Sequence, residues 1–151
     1  MNRYTILLSC ALALPFMAPA QAEVQFDKAE DAIAYRQSAL KLMGAHFGGL
    51  APVMRGRTSY DAAAVQAEIE LVRTLSKLPW KAFGEGAKGG NARPELWENS
   101  DKFRQAADNL QTSLNRLGTA AAGSDFDTVR AAYADTAATC KACHDSFRQR
   151  R

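Results

Sequence analysis

Excess charge, long apolar runs and strand-like alternation are all scarce in this sequence. The 151 residues carry 19 Lys and Arg against 16 Asp and Glu, a formal charge of +3 at pH 7. Nucleic-acid binders usually concentrate basic residues on one face, and the only basic cluster, Arg148, Arg150 and Arg151, ends the chain. No apolar run reaches the roughly 20 residues that span a bilayer. We therefore expect neither a nucleic-acid partner nor a membrane anchor.

Cysteine and histidine are also rare, with three and two copies. Two of the cysteines fall in the motif Cys140-Lys141-Ala142-Cys143-His144. In an exported protein, Cys-x-x-Cys-His is the attachment motif of a c-type haem. Thiols three residues apart on one helix face can add to the two porphyrin vinyl groups, and the next histidine can bind the iron. The motif predicts one covalently attached haem c per chain, with His144 as the iron ligand.

Three other interpretations of this motif remain open. A thiol–disulfide redox site usually follows a strand in an α/β protein and does not require the histidine. A structural zinc site needs a fourth ligand, and His46 is the only other histidine. Chance spacing of core residues on a helix is the third. An export signal favours haem over all three.

The first 22 residues have the organisation of such a signal. Arg3 provides a positive start, an apolar stretch runs from Ile6 to Met17, and Ala20-Gln21-Ala22 is a small-x-small cleavage site. We predict cleavage after Ala22, which leaves residues 23–151 as one periplasmic domain. Cleavage also removes Cys10, so no structural disulfide is expected. Without Arg3, 18 basic residues face 16 acidic ones, a net charge of +2.

Helical periodicity divides the mature chain into four segments separated by Gly, Pro and Ser. The predicted helices run from Asp27 to about Phe47, from Asp61 to about Leu78, from about Pro94 to Ala122, and from Ser124 or Asp125 onward. Their expected inward residues are Val65, Ile69, Val72 and Leu75 on the second helix, Phe103, Ala107, Leu110, Leu114 and Leu117 on the third, and Val129, Tyr133, Ala137, Cys140, His144 and Phe147 on the fourth. This pattern predicts an all-α four-helix bundle, with the third and fourth helices antiparallel.

A basic residue lies near the centre of the first helix's apolar stripe. The stripe consists of Ile33, Leu40, Met43, Phe47 and Leu50. Arg36 falls close to its centre and Gln37 on its flank, whereas His46 lies roughly 120° from Leu40. The arginine stem could pass the core to reach solvent, or its guanidinium could bind a haem propionate. We favour the propionate, for both Arg36 and Gln37.

The mature chain resembles the cytochrome c′ family of bacterial class II c-type cytochromes. Three stretches carry the resemblance: residues 29–40, AEDAIAYRQSAL; residues 78–84, LPWKAFG; and residues 140–145, CKACHD. The haem motif alone is shared by all c-type cytochromes, and its position on the last helix is more specific to this family. The resemblance implies an up-down-up-down bundle with covalently attached haem, and a homodimer formed through the first two helices.

The resemblance also implies roles for individual residues. Cys140 and Cys143 would be the thioether attachments and His144 the proximal ligand. Arg36 and Gln37 would lie by the propionates, and Leu40 would cover the distal face of the iron. Trp80 and Phe83 would line the pocket, and Arg148 would lie on the proximal side.

The nature of residue 40 decides the expected function. Leucine cannot bind iron, so Leu40 implies five-coordinate iron with an apolar distal site for NO or CO. Such a protein could also exchange one electron with a periplasmic partner that the sequence does not identify. The alternative is a six-coordinate, low-spin electron carrier with Met43, about 60° round the helix from Leu40, as sixth ligand. A peroxidase would need a distal acid–base pair, which Leu40, Trp80 and Phe83 do not offer, so we do not expect an enzyme.

Overall fold

Four long helices build the protein in the computed structural model, which describes residues 24–150. They are α1 (Ala29–Gly49), α2 (Ala62–Leu75), α3 (Ser100–Ala122) and α4 (Phe126–Phe147). Neighbours in sequence pack together, and the α3–α4 contact is the most extensive. The predicted all-α four-helix bundle is confirmed. The predicted signal peptide, with Cys10, and residues 23 and 151 lie outside the described residues.

The connections differ greatly in length. A helical turn, Ala51–Met54, follows α1. The long connection from α2 to α3 contains two 3₁₀ turns, Trp80–Phe83 and Glu85–Ala87, and one α-helical turn, Glu95–Glu98. No helix among residues 24–150 has both the length and the apolar character needed to cross a membrane.

Two aspartates begin helices as predicted. The Asp61 carboxylate accepts a hydrogen bond from the Ala64 amide at 3.1 Å, and the Asp125 carboxylate accepts one from the Thr128 amide at 2.8 Å. Each bond satisfies one of the free N–H groups of a first helical turn. These caps set the starts of α2 and α4.

The predicted bounds of α1 were wrong at both ends. The residue before the helix is Lys28 rather than Asp27, with no side-chain cap. At the other end, the two glycines after Phe47 remain helical up to Gly49. The helix continues through the glycines because Leu50 and Met54, which follow it, are buried in the apolar core. Tertiary packing here overrides the helix-breaking tendency of glycine.

The neighbouring helices also depart from prediction. α2 ends at Leu75 rather than Leu78, and the Ser76 hydroxyl donates to the Arg73 carbonyl at 2.7 Å. α3 begins at Ser100 rather than Pro94, because Asn99 leaves the helical conformation with φ −120° and ψ 47°. The Asn99 side-chain amide donates to the Glu95 carbonyl at 3.2 Å, and the Asn99 backbone amide donates to the same carbonyl at 2.9 Å.

Two of the three apolar clusters among residues 24–150 join more than one long helix. The larger consists of Met43, Leu50, Met54, Val65, Ile69, Val72, Leu110, Leu114, Leu117, Ala121 and Val129. The smaller consists of Ala92, Leu96 and Phe103, with Trp80, Phe83, Trp97, Cys143 and Phe147 packed against it. The predicted inward face of α3 is buried throughout.

The predicted inward face of α4 needs two corrections, and the first is that His144 is exposed where it borders the cavity. Thr136, rather than Ala137, is the buried residue of its central turn, with no exposed surface. Its hydroxyl lies 2.8 Å from the Ser113 hydroxyl of α3 and donates to the Ala132 carbonyl at 2.9 Å. A polar side chain is buried here because it has partners on its own helix and on the next.

We expect Thr136→Val to lower the free energy of unfolding by about 1–3 kcal/mol, because it leaves the buried Ser113 hydroxyl without its partner. Denaturant unfolding of the holoprotein measures the change. The double variant Ser113→Ala/Thr136→Val removes both hydroxyls and should recover part of the loss. Equal losses in the single and double variants would contradict a hydrogen-bonded pair.

Candidate haem site

One cavity of about 820 Å³ lies between α1 and α4. The two helices meet where Tyr133 stacks on Phe47, with ring centroids 4.3 Å apart, and donates its hydroxyl to the Phe47 carbonyl at 3.2 Å. Elsewhere they make few close backbone approaches. All nine predicted site residues line this one cavity: Arg36, Gln37, Leu40, Trp80, Phe83, Cys140, Cys143, His144 and Arg148.

The two cysteines of α4 are half-buried free thiols. Burial raises the pKa of the Cys140 thiol, and burial together with the neighbouring Cys140 raises the pKa of Cys143 to about 11. Thiol–disulfide oxidoreductases depend instead on a thiolate whose pKa is lowered. The pair also lies inside a helix and does not follow a strand. Both observations disfavour the redox-disulfide interpretation.

His144 follows on the same helix and is a wall of the same cavity. Burial, and after it the charge of Arg148, lowers the pKa of the His144 imidazole. Both influences favour the neutral imidazole, which is the form that binds metals. Structural zinc requires four converging donors, and within residues 24–150 no three His, Cys, Asp or Glu side chains converge in that way.

Arg36 is held inside the protein by backbone carbonyls. Its Nη1 donates to the Ala82 and Ala87 carbonyls at 2.7 and 2.6 Å, and its Nη2 donates to the Gly89 carbonyl at 2.8 Å. The guanidinium also lies 4.6 Å from the centroid of the Phe83 ring. Only 2% of the residue is exposed, so the side chain does not pass the core to reach solvent.

The buried charge of Arg36 lacks an anionic partner among residues 24–150, where no salt bridge includes it. Burial alone lowers the pKa of the guanidinium, but arginine remains charged at any physiological pH. Three of its five N–H groups are used by the carbonyls. The other two remain for an anion in the cavity that Arg36 lines.

Gln37 lines the cavity beside Arg36, where the α2–α3 connection passes close to α1. Gly90 makes this approach possible with φ +63°, a conformation that favours glycine. A Cβ atom at residue 90 would lie 2.6 Å from Nε2 of Gln37 and 2.9 Å from Cγ2 of Ile33. The absence of a side chain at Gly90 therefore lets the α2–α3 connection pack against Ile33 and Gln37 of α1.

Leu40 and Met43 both reach the cavity from α1. Leu40 is half-buried and packs against the larger apolar cluster. Met43 belongs to that cluster, with 9% of the residue exposed. Leu40 and Met43 lie on the same wall of the cavity, so their positions alone do not decide whether leucine covers the iron or methionine binds it.

The aromatic wall is held by hydrogen bonds that sequence reasoning missed. Trp80 donates its indole N–H to the Ser76 carbonyl at 2.6 Å, and the Gln111 side-chain amide donates to the same carbonyl at 2.9 Å. Phe83 packs against Phe103, with ring centroids 4.9 Å apart. Ser76 and Gln111 could not be found from hydrophobic periodicity, because they act through polar contacts between distant segments.

Arg148 lies at the end of α4, where the chain becomes extended. Its amide donates to the His144 carbonyl at 3.1 Å, and its backbone pairs with Ala92 in an isolated antiparallel bridge. The amides of Arg93 and Gln149 add hydrogen bonds of 2.9 and 3.0 Å between the same two segments. The α2–α3 connection that binds Arg36 thus also positions Arg148.

These features fit a haem c. The cavity volume lies within the range of cofactor sites, about 300–1,000 Å³. Two thiols and an imidazole stand on the α4 wall, where covalent attachment and iron ligation require them. The α1 wall supplies apolar residues and a buried cation without an anion, which suits an apolar ring that carries carboxylates.

Comparison with known proteins gives matches along most of the chain. A family model described as Cytochrome C′ matches residues 31–148. The cytochrome c′ of Alcaligenes xylosoxydans xylosoxydans is 50% identical over 127 residues, covering 84% of this chain and 100% of that protein. The cytochrome c′ of Rubrivivax gelatinosus is 41% identical over 129 residues, covering 83% and 100%.

A solved structure matches equally well. It is the nitric oxide complex of a leucine-to-alanine variant of cytochrome c prime from Alcaligenes xylosoxidans. Its TM-score is 0.82 at 48% identity, and the match covers 84% of this chain and 100% of that one.

Proposed function

The chain belongs to the cytochrome c′ family, and from that premise we propose that it is a periplasmic, five-coordinate haem protein that binds NO and CO. The cofactor is haem c, which this family attaches through cysteines, and Cys140 and Cys143 stand in the attachment motif. Haem supplies an iron that takes a diatomic ligand and exchanges one electron. In the proposal, His144 binds the iron and Arg36 and Gln37 hold the propionates.

Leu40 is the observation that carries the proposal. It lines the cavity opposite the α4 motif, and its side chain has no atom that can bind iron. With Trp80 and Phe83 it forms an apolar wall, and the Trp80 N–H is already bonded to Ser76. Such a wall excludes water and offers bound dioxygen no hydrogen bond, while neutral NO and CO need none.

The similar nitric oxide complex from Alcaligenes xylosoxidans supports NO as a ligand. That property belongs to the relative, and we extend it to this chain because both the fold and the attachment motif match. Arg148 contributes a cation beside His144 and also lines the cavity. It would therefore influence any ligand that approaches the iron from the proximal side.

Electron transfer remains part of the proposal, with an unidentified periplasmic donor or acceptor. Export through the 22-residue signal peptide is proposed from the sequence alone. A homodimer through α1 and α2 is proposed from the family. The exposed side chains of Leu42 on α1 and Leu71 on α2 support it, since 51% and 39% of these residues face solvent.

The experiment is a titration of the ferrous protein with CO and then with NO, followed by visible absorption. We expect each gas to bind at one equivalent per haem, because one leucine-covered position is open. The His144→Ala variant of the same chain is the control, since it reports ligand binding without the proximal imidazole. A ferrous spectrum unchanged by both gases would contradict the proposal.

Met43 defines the second candidate function, a six-coordinate electron carrier. Its position on the cavity wall is the observation that favours it. If Leu40 rather than Met43 faces the iron, Met43→Leu should leave the ferric spectrum and CO binding unchanged, because the substitution keeps an apolar side chain of similar volume. Loss of a methionine–iron band in the variant would instead establish Met43 as the ligand.

A further inference from the structure

Trp97 contacts the cavity residue Arg36 without lining the cavity itself. The centroid of its ring lies 5.7 Å from Cζ of Arg36, and the centroid of the Phe83 ring lies 4.6 Å from the same atom. Both distances fall within the range of about 6 Å in which an aromatic ring attracts a cation. Arg36 is therefore flanked by two aromatic rings, of which only Phe83 also lines the cavity.

The indole N–H of Trp97 holds the same backbone segment that binds Arg36. It donates to the Phe83 carbonyl at 2.9 Å, with a longer contact of 3.3 Å to the Gly84 carbonyl. The Ala82 carbonyl, one residue before Phe83, accepts from Nη1 of Arg36 at 2.7 Å. Trp97 thus contacts the guanidinium through its ring and, through its N–H, fixes the segment that supplies one of the carbonyl partners.

Packing keeps Trp97 in this place. It lies in the helical turn Glu95–Glu98 and packs, partly buried, against the cluster of Ala92, Leu96 and Phe103. An indole is a large apolar ring with one polar N–H group, and a buried N–H usually has a partner. Here the N–H is bonded to the Phe83 carbonyl and the ring lies beside a buried cation. These contacts join atoms of the protein alone.

We propose that Trp97 is a positioning residue for Arg36, whose ring keeps water from the guanidinium and so preserves the effect of its charge on a haem propionate. This inference rests on the proposed function, because it takes Arg36 as the partner of the propionate. Only 2% of Arg36 is exposed, and charges interact more strongly where water is excluded. Admitting water beside Trp97 would weaken the interaction while every residue assigned to the haem stays in place.

The test compares Trp97→Leu and Trp97→Phe holoproteins by redox titration and by denaturant unfolding. We expect Trp97→Leu to lower the reduction potential in the same direction as Arg36→Leu but by less, because the positive charge remains and is only screened. Trp97→Phe keeps an aromatic ring and should hold the potential closer to the wild-type value. Both variants lose the hydrogen bond to the Phe83 carbonyl and should be less stable.

Phe126→Leu is the matched control. The centroid of the Phe126 ring lies 5.5 Å from Cζ of Arg130 near the start of α4, and neither residue lines the cavity. This substitution also takes an aromatic ring from an arginine and should lower stability, but it should leave the reduction potential unchanged. If the leucine variant of Trp97 does not fold, Trp97→Met replaces it, because methionine adapts to irregular space in a core.

Two results would overturn the inference. Loss of stability in Trp97→Leu without a change in reduction potential would show that the residue only packs, as Phe126 does. Equal shifts of the potential in Trp97→Phe and Trp97→Leu would show that the ring does not shield Arg36. Arg36→Leu, measured beside them, tests the proposed function separately. If its potential equals that of the wild-type protein, Arg36 does not hold a propionate, and the inference fails with that assignment.

Discussion

Replacing Leu40 with alanine is expected to speed CO association with the ferrous protein by about tenfold or more. In the proposed function, Leu40 covers the distal position and has to be displaced before a ligand enters, and alanine removes that obstacle. A tenfold gain corresponds to only about 1.4 kcal/mol of barrier. The enlarged apolar space should also admit water or dioxygen to the iron. Stopped-flow kinetics and the ferric absorption spectrum measure the two effects.

Leu42→Ala is the matched control for this experiment. Leu42 lies on the same helix, half of it is exposed, and it does not line the cavity. Its replacement should leave CO association unchanged. Equal rates for Leu40→Ala and the wild-type protein would show that Leu40 does not control access to the iron.

Replacing Arg36 with leucine is expected to cost several kcal/mol of stability. It leaves the Ala82, Ala87 and Gly89 carbonyls without a donor, and each buried unpaired carbonyl costs ~1–3 kcal/mol. The reduction potential should fall, because a positive charge that would lie beside the haem favours the reduced iron, and the variant removes it. Denaturant unfolding and a redox titration measure these changes.

Arg36→Lys separates the two contributions of this side chain. Lysine keeps the positive charge but lacks the planar fork that binds several carbonyls at once. We expect the potential to stay near the wild-type value while stability still falls. If Arg36→Lys lowers neither the stability nor the reduction potential, the carbonyl contacts do not hold the connection. If Arg36→Lys shifts the potential as far as Arg36→Leu does, the propionate assignment is wrong.

The parts of the site that were predicted from sequence are those carried by local patterns. The spacing of Cys140, Cys143 and His144 specifies one helix face directly, and the apolar stripe of α1 brings Leu40 toward the same cavity. Because these patterns depend on helical geometry alone, they do not require knowledge of the loops. The residue-by-residue roles beyond them came from the family resemblance.

The features that were not predicted from the sequence depend on contacts between segments far apart in the chain. The carbonyl partners of Arg36 lie 46 to 53 residues away, in a connection without periodicity. Thr136 is buried because Ser113 of another helix completes its hydrogen bonding, and hydrophobic patterns cannot register such a pair. Asn99 interrupts the predicted third helix with a non-helical backbone conformation, which hydrophobic periodicity does not register.

The coordination number of the iron is the most direct test of the central proposal, and visible absorption with EPR of the purified ferric and ferrous holoprotein measures it. We predict a high-spin, five-coordinate spectrum in both oxidation states, with the ferrous spectrum changing when CO is added. A low-spin spectrum that carries a methionine–iron band and does not respond to CO would contradict the account and assign the sixth position to Met43.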